Sequence, residues 1–246
     1  MKTFVVALLL ALAGCATTGT PVDKTKMAQG YFEKGLAYYQ QKNYELASVE
    51  FNRSLQTDSS NKLPYYYLGI ISDTRGKPED AVRYYKEAII LDPDFSEAYN
   101  ALGVVYVKQE KWQEALKCFK KALDNKLYTT PHIPYLNMGD MYMTQKNYAK
   151  AVEAYRESKR LANLEITCFK LGTALYEAGR TKEAIREFQE GVDMAPQNTY
   201  LRYSLAIALL KDNNKAAAIA EFKKVVELAP GSEIAQKAKD YIKTLR

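Results

Sequence analysis

A small residue recurs along this chain at a nearly constant interval, and this periodicity constrains the fold more than any other feature. The first series consists of Gly35, Gly69, Gly103, Gly139, Gly172 and Ala206, at steps of 34, 34, 36, 33 and 34 residues. Twelve residues after each member comes an alanine: Ala47, Ala81, Ala115, Ala151, Ala184 and Ala218. Four residues after each alanine comes an aromatic residue: Phe51, Tyr85, Phe119, Tyr155, Phe188 and Phe222. A constant period of this length is typical of stacked structural repeats.

The three series have a common physical explanation in pairs of helices. Two antiparallel helices approach closely only where side chains are small, so the glycine and alanine series predict the contact between the helices of one hairpin. We expect the aromatic residue to share a helical face with the alanine and to fill the gap to the next hairpin. Pro93, Pro196 and Pro230 fall where second helices should end, and Pro78 suits the first turn of one. The pattern predicts six hairpins, at residues 28–61, 62–95, 96–131, 132–164, 165–198 and 199–232.

The last segment, residues 233–246, predicts a thirteenth helix. Its apolar residues stand at helical spacing: Ile234, Ala235, Ala238, Tyr241, Ile242 and Leu245. Such a helix would cover the open apolar face of the last hairpin, so we expect it to cap the array. The repeat resembles the 34-residue tetratricopeptide pattern, with its Leu-Gly, Tyr, Ala, Phe and Pro positions. The resemblance implies an all-α fold, a right-handed superhelical solenoid of about six hairpins with a C-terminal capping helix.

Residues 1–14 have the layout of a secretory signal peptide, with a positive charge at Lys2 followed by an apolar run and small residues. The apolar run is too short to span a bilayer as a helix. It ends in the sequence Leu-Ala-Gly-Cys, which resembles the lipobox of bacterial lipoproteins. The resemblance implies cleavage before Cys15 and a covalent lipid, with acyl chains such as palmitate, on its thiol. The alternative is an ordinary signal peptide with a chance cysteine near its cleavage site.

A lipid on Cys15 would tether the protein to a membrane without spanning it, because two or more acyl chains give stable anchoring. Ala16, in place of an aspartate after the cysteine, resembles the sorting signal of lipoproteins of the outer membrane, and implies a place on its periplasmic face. Residues 15–27 are small, polar and contain a proline, so we expect the lipidated cysteine to be followed by a flexible leash.

The sequence contains no recognisable catalytic constellation. The 35 Lys and Arg residues and 29 Asp and Glu residues alternate along helical segments, whereas nucleic-acid binding usually needs a clustered basic stripe. The single histidine, His132, falls in a proline-containing loop between repeats 3 and 4, and no Cys-x-x-Cys accompanies it, so we expect no metal site. We expect no enzymatic activity, no cofactor and no small-molecule substrate. Cys118 and Cys168 lie two hairpins apart, and should be free, mostly buried thiols.

The first helices of stacked hairpins line a concave side, and here their second, fifth, ninth and twelfth repeat positions are mostly apolar or aromatic. An apolar strip of this extent predicts a protein-binding groove, although any one residue could instead pack against a neighbouring helix. Chaperone-binding tetratricopeptide proteins carry a basic and amide clamp at two of these positions, which are apolar in repeat 1, and this favours an apolar peptide or strand as the ligand. The predicted groove residues are Phe32, Leu36, Tyr39, Leu63, Tyr66, Ile70, Asn100, Val104, Val107, Leu136, Met143, Ile166, Phe169, Tyr200, Tyr203 and Ile207.

The connection between repeats 3 and 4 is two residues longer than the others and carries two prolines. With the Leu-Tyr-x-x-Pro segment in 122–131, the Asn-x-Gly in 135–139, the lipobox and six repeats, the chain resembles the type IV pilus biogenesis lipoproteins of the PilF/PilW type. The resemblance implies a pilotin, a lipid-anchored periplasmic protein that binds the secretin subunit and promotes its outer-membrane localisation or multimerisation. The alternative is a general outer-membrane adaptor that recruits cell-wall enzymes or other envelope complexes.

Overall fold

The structure, a computed structural model, describes residues 23–245, which fold into thirteen α-helices. Each odd-numbered helix up to α11 is the first helix of a hairpin, and the even-numbered helix after it is the second. The predicted signal peptide, Cys15 and the first part of the leash lie outside the described residues. The helices are α1 (Lys24–Gln40), α2 (Tyr44–Thr57), α3 (Lys62–Thr74), α4 (Pro78–Leu91), α5 (Ser96–Lys108), α6 (Trp112–Asp124), α7 (His132–Thr144), α8 (Tyr148–Leu161), α9 (Glu165–Glu177), α10 (Thr181–Met194), α11 (Thr199–Lys211), α12 (Lys215–Leu228) and α13 (Glu233–Leu245). None of them combines the length and the apolar composition needed to cross a membrane.

The first helix begins earlier than the sequence predicted. The leash was expected to extend to residue 27, but α1 starts at Lys24. The Asp23 carboxylate accepts a hydrogen bond from the backbone N–H of Lys26 at 3.3 Å and caps the helix N-terminus. Residues 24–27 therefore form the first turn of a helix. The hydrogen bond from the Asp23 cap stabilises this turn, although the polar composition of the segment predicted a flexible leash.

The connection between repeats 3 and 4 is also shorter than predicted, because His132 is the first residue of α7 and not a loop residue. The hydroxyl of Ser158 donates to the His132 carbonyl at 2.9 Å and fixes this end of the helix. Pro134 lies in the first turn of α7. Backbone N–H groups in a first turn have no acceptor within the helix, so the N–H that proline lacks costs no helical hydrogen bond. The connection itself is anchored by Asn125, whose side chain donates to the Asp94 carbonyl at 3.0 Å.

The aromatic series packs within its own hairpin, in addition to the predicted packing toward the next one. A Cβ atom placed on Gly139 would lie 2.3 Å from the Tyr155 ring, and the other glycines of the series meet their own aromatic residues at 2.5–2.7 Å. The ring thus occupies the space that the missing side chain leaves. The same rings also reach onward, since Tyr85 shares a buried cluster with Leu102 and Val105 of the following hairpin.

The described chain divides into two compact units after Ser60. The first contains the hairpin of α1 and α2. Within it the rings of Phe32 and Phe51 lie 5.8 Å apart, and the Ser54 hydroxyl donates to the Ala28 carbonyl at 2.7 Å. The buried carboxylate of Glu50 pairs with Lys34 at 3.0 Å. This hairpin therefore has its own small aromatic core.

The second unit, from Asn61 onward, stacks five hairpins and the capping helix. Consecutive helices pack against one another, and first helices also meet first helices: α3 contacts α5, α5 contacts α7, and α9 contacts α11. Second helices of consecutive hairpins approach each other less closely in this unit. The first helices consequently form its inner layer, as in a solenoid. At the C-terminal end, Tyr241 of α13 stacks on Phe222 with ring centroids 5.0 Å apart, which confirms the predicted capping helix.

Candidate protein-binding groove

The inner surface of the second unit is formed by the first helices α3, α5, α7, α9 and α11 on the side away from their second helices. A polar contact joins each of these helices to the next one. Lys108 donates to Asp73 at 2.7 and 2.8 Å, and the Asn137 amide donates to the Asn100 side-chain oxygen at 2.9 Å. Lys170 donates to Asp140 at 2.6 Å, and the Lys211 ammonium lies 4.1 Å from the centre of the Tyr176 ring. These four cross-links fix the spacing of the helices that line the groove.

The Asp140 carboxylate of this cross-link is also hydrogen-bonded to a buried residue of the hairpin core. The Tyr155 hydroxyl donates to the Asp140 carboxylate at 2.5 Å, beside the bond from Lys170. Burial raises the pKa of Tyr155, and its hydrogen bond to Asp140 raises it further. The phenol therefore keeps its proton at neutral pH and remains a donor. A ring that packs on Gly139 thus also holds a groove carboxylate in place.

Four predicted groove residues, all at the fifth repeat position, pack into the core. Their rings lie against the aromatic ring of the second helix in the same hairpin, with centroids 5.5–6.3 Å apart. Phe32 is only 6% exposed. The prediction that Phe32 is open to a partner is therefore corrected, whereas Tyr66, Phe169 and Tyr203 are half-buried and keep part of their surface open beside this aromatic pairing. The four residues are Phe32, Tyr66, Phe169 and Tyr203.

Most of the remaining predicted residues are half-buried on the first helices: Leu36 and Tyr39 in the first unit, and Leu63, Ile70, Asn100, Val104, Val107, Leu136, Met143 and Ile207 in the second. The two other predicted groove residues are exposed to solvent. Tyr200 is 67% exposed and Ile166 is 43% exposed, both in the first turns of their helices. The apolar side chains that a partner could contact with least rearrangement therefore lie on α9 and α11.

The same two helices, with Phe188 of α10, line a depression of about 180 Å³ on the inner surface. The residues of α9 and α11 that line it are Thr173, Tyr176, Tyr203, Ser204 and Ile207. Sequence reasoning missed its polar residues and, apart from Asn100, the residues of the cross-links, because it selected mainly apolar residues. A repeat register would have placed them, since they stand next to the predicted residues on the same helices: Asp73, Lys108, Asn137, Asp140, Lys170, Thr173, Tyr176, Ser204 and Lys211.

One cluster in the described chain has side chains that can ligate metals: Cys168, Glu187 and Glu190. The Lys159 ammonium lies between the two carboxylates and donates to them at 2.6 and 2.7 Å. Burial raises the pKa of the Cys168 thiol to about 11, so the sulfur is protonated at neutral pH. The cluster is thus an ion-pair network with its cation already supplied by the protein. The structure buries Cys168 and Cys118 as free thiols, which confirms that prediction.

The inner surface suits a polypeptide ligand. Apolar side chains alternate with fixed polar groups along it, and each carboxamide of the Asn100–Asn137 pair retains hydrogen-bonding capacity beyond the bond that joins them. A peptide unit offers one donor and one acceptor, so an extended segment could place its apolar side chains between cross-links and bond its main chain to the amides.

Comparison with known proteins agrees with this architecture. Sequence profiles of the tetratricopeptide repeat match residues 28–61, 74–110, 96–126, 134–163 and 169–233. The type IV pilus assembly protein PilF of Pseudomonas aeruginosa is 27% identical over 160 residues, which is 63% of this chain and 64% of that protein. Tetratricopeptide repeat protein 37 of Xenopus laevis is 25% identical over 222 residues, but this chain spans only 14% of its length.

Two solved structures share the fold over most of the chain. A structure of Pseudomonas aeruginosa PilF superposes with a TM-score of 0.74 and 22% identity, covering 88% of this chain and 98% of that one. A crystal structure of PilW, described as a widely conserved type IV pilus biogenesis factor, gives 0.76 and 19% identity, covering 87% and 99%. The predicted all-α solenoid is confirmed, and the chain belongs to the tetratricopeptide repeat family.

Proposed function

We propose that this protein is a lipid-anchored periplasmic scaffold for type IV pilus biogenesis that acts as a pilotin. In this proposal Cys15 carries the lipid, the protein lies on the periplasmic face of the outer membrane, and the inner surface binds a segment of the secretin subunit. Binding would deliver the subunit to the membrane and promote its multimerisation. The protein would contribute binding and positioning, without a catalytic step.

The observation that carries the proposal is the extent of the structural likeness. The fold superposes on 98% of the PilF chain and 99% of the PilW chain, so the likeness extends over nearly the whole of both pilus factors. General tetratricopeptide relatives such as protein 37 share only a portion of a much longer array. The similarity to PilF in sequence supports the same assignment.

The inner surface favours an apolar, extended segment as the ligand. Its open side chains are Tyr200 and Ile166, and aromatic residues are common anchors in protein interfaces. In the described part of the chain, two lysines on this surface are paired, Lys108 with Asp73 and Lys170 with Asp140, so neither is free to clamp a terminal carboxylate. A strand from a subunit that later enters a membrane would match this chemistry, since such strands alternate apolar and polar residues.

Deletion of the gene tests the biological role. We expect loss of heat-stable secretin multimers on gels and loss of surface pili, both restored by the wild-type gene. A Cys15→Ser variant should restore neither fully, and mass spectrometry of the N-terminal peptide should show acyl chains on the wild-type cysteine only. Normal multimers and normal piliation in the deletion strain would contradict the pilotin proposal, and would leave the adaptor alternative as the better account.

A matched pair of double variants tests the binding surface. Ile166→Ala with Tyr200→Ala removes two open apolar side chains of the inner surface, and we expect affinity for the purified secretin subunit to fall at least tenfold, about 1.4 kcal/mol. The control is Ile90→Ala with Met194→Ala, whose side chains are 70% and 43% exposed at the ends of second helices. Equal affinity in the two variants would show that the partner binds elsewhere.

A further inference from the structure

The second helices α4 and α6 border a cleft of about 370 Å³ that is separate from the inner surface. Its floor is apolar and includes Ile89 of α4, Leu102 of α5 and the Cys118 side chain of α6. Lys86, Lys117 and Lys121 stand at its rim. The cleft therefore combines an apolar interior with a cationic border.

The rim charges are largely uncompensated. Neither Lys86 nor Lys117 forms an ion pair within residues 23–245, and Lys121 pairs only with Asp124, an exposed neighbour on its own helix at 3.0 Å. A single carboxylate, that of Glu114, lines the cleft with them. Exposed lysines with few counter-charges attract anionic groups at short range, and the low dielectric of an apolar floor strengthens that attraction.

The lysines of α6 also border a second depression, of about 350 Å³, next to the cleft along the surface of the helix. Leu116 contributes its apolar wall, and the polar residues that line it are Gln113, Lys117, Lys120, Lys121 and Asp124. Because Lys117 and Lys121 belong to both depressions, they form a lysine ridge between two apolar hollows. The two residues of this ridge are four positions apart, which places them on one face of the helix.

We infer that this ridge and its two hollows bind an acidic, amphipathic segment of a partner protein. Carboxylates of the segment would meet the lysine ridge, and an apolar side chain on either side would enter a hollow. A lipid with one head group and a single acyl chain would fill only one of the hollows. A helical segment with leucine and glutamate on the same face offers both features at the spacing of α6. The site belongs to the second-helix layer, so the inner surface can be occupied at the same time.

A designed probe tests the inference directly. The probe is a fluorescein-labelled peptide of about 18 residues, built from alanine, leucine and glutamate with the last two on one helical face, long enough to fold when bound. We expect the purified full chain to bind it, by fluorescence anisotropy, and higher salt to weaken the binding. A second peptide with glutamine in place of glutamate should bind at least tenfold more weakly.

Charge reversal locates the site. Lys117→Glu with Lys121→Glu should reduce probe affinity at least tenfold, whereas Lys126→Glu with Lys182→Glu, the same change of formal charge at exposed residues outside the cleft, should change it by less than twofold. Saturating probe should also slow alkylation of Cys118 in the cleft floor, which is 8% exposed. Peptide mapping by mass spectrometry distinguishes this cysteine from the fully buried Cys168.

Three results would overturn the inference: no binding of the probe by the wild-type chain, equal loss of binding in both double variants, or no protection of Cys118. Binding of the wild-type chain, but not of the cleft variant, to vesicles rich in phosphatidylglycerol, together with no binding of the peptide, would assign the ridge to a membrane surface and reject a protein partner. The double variant can be verified as folded by its helical circular dichroism.

Discussion

The junction between α4 and α6 and the junction between α8 and α10 are built from equivalent positions of the repeat, yet one is open and the other is filled. Lys159, Glu187 and Glu190 lie 20, 15 and 18 residues after the glycine of their own repeat. The residues at the same offsets around the open cleft are Ile89, Cys118 and Lys121. Three substitutions at matching positions therefore distinguish an ion-pair network from an apolar cleft.

The difference shows that a repeat can keep its backbone packing while its outer junctions diverge. In both hairpin pairs the glycine and aromatic series are intact and the interior is buried. The side chains between successive second helices are not required by that core, so they can stabilise the array in one place and leave a surface for binding in another. Stability and recognition are thus assigned to different junctions of the same solenoid.

The largest effect is expected from removing the cation of the filled junction. Lys159→Ala leaves two carboxylates facing each other beside a buried thiol, and the side chains of Lys159 and Glu187 are only 19% and 21% exposed. We expect a loss of about 2 kcal/mol in the free energy of unfolding, below the cost of breaking a fully buried pair. Urea unfolding measured by circular dichroism, with hydrogen exchange of α8 and α10, would reveal it. A loss under about 0.5 kcal/mol would mean that the network is only a surface feature.

Introducing the ion pair of the filled junction into the open junction should fill the cleft between α4 and α6. Ile89→Lys with Lys121→Glu recreates the pair formed by Lys159 and Glu190, and we expect affinity for the acidic probe to fall about tenfold, or 1.4 kcal/mol, while the unfolding free energy changes by less than about 1 kcal/mol. The conservative control Ile89→Leu keeps the apolar floor and should bind the probe as the wild type does. If the double variant bound the acidic probe as tightly as the wild type, these positions would not account for the difference between the two junctions.

The ion pairs of the filled junction should also make the unfolding free energy of the protein depend on pH. Hydrogen bonds from Lys159 and Asn163 lower the pKa of Glu190. Burial opposes the charge of Lys159, but its hydrogen bonds to Glu187 and Glu190 outweigh this and raise its pKa. A lowered carboxyl pKa stabilises the folded state above the unfolded value, about 4.3, and a raised lysine pKa stabilises it below about 10.4.

The difference in unfolding free energy between the wild type and Lys159→Ala should therefore be constant between those values, and should shrink by roughly half as the pH falls through the lowered pKa of Glu190. Denaturant titrations across the acidic range would measure this difference. Glu190→Gln should flatten the acidic limb and also weaken the alkaline one, because it removes one of the two carboxylates that raise the pKa of Lys159. A difference that does not change with pH would show that Lys159 contributes through packing alone.

The smallest effect is expected at the rim of the open junction. Lys86→Ala and Lys120→Ala remove side chains without an ion pair in the described part of the chain, so each should change the unfolding free energy by less than about 0.5 kcal/mol. The same urea unfolding experiment would compare them with Lys159→Ala. A cost near 2 kcal/mol would indicate that the rim lysines hold the hairpins together, and would remove the contrast between the junctions.

The fold could be predicted because periodicity is a property of the sequence itself. Gly139 and Tyr155 belong to series whose spacing recurs six times, so the number and order of the helices and the capping helix could be predicted without a structure. Ends of helices were harder to predict, since Asp23 and Ser158 fix them through single hydrogen bonds that leave no periodic trace.

The binding surface could be predicted only in outline. A first-helix position such as that of Tyr66 is apolar both when it lines a groove and when it packs on Tyr85, and only coordinates distinguish the two. The cross-link between Asp73 and Lys108 joins residues 35 positions apart, and the open cleft depends on which side chains fail to meet across a junction. Such relations depend on three-dimensional distances that residue types alone do not determine.

The cross-links between first helices have a consequence for how a partner must bind. Because each first helix from α3 to α11 is joined to the next first helix by a polar contact, the intervals along the inner surface are fixed before any ligand arrives. The fixed spacing of the first helices then selects the ligand, because a segment binds tightly only if its side chains recur at matching intervals. On binding, the conformational entropy that is lost is mainly that of the incoming segment, since the inner surface is already ordered. The protein therefore sets the selectivity for the length and spacing of the segment.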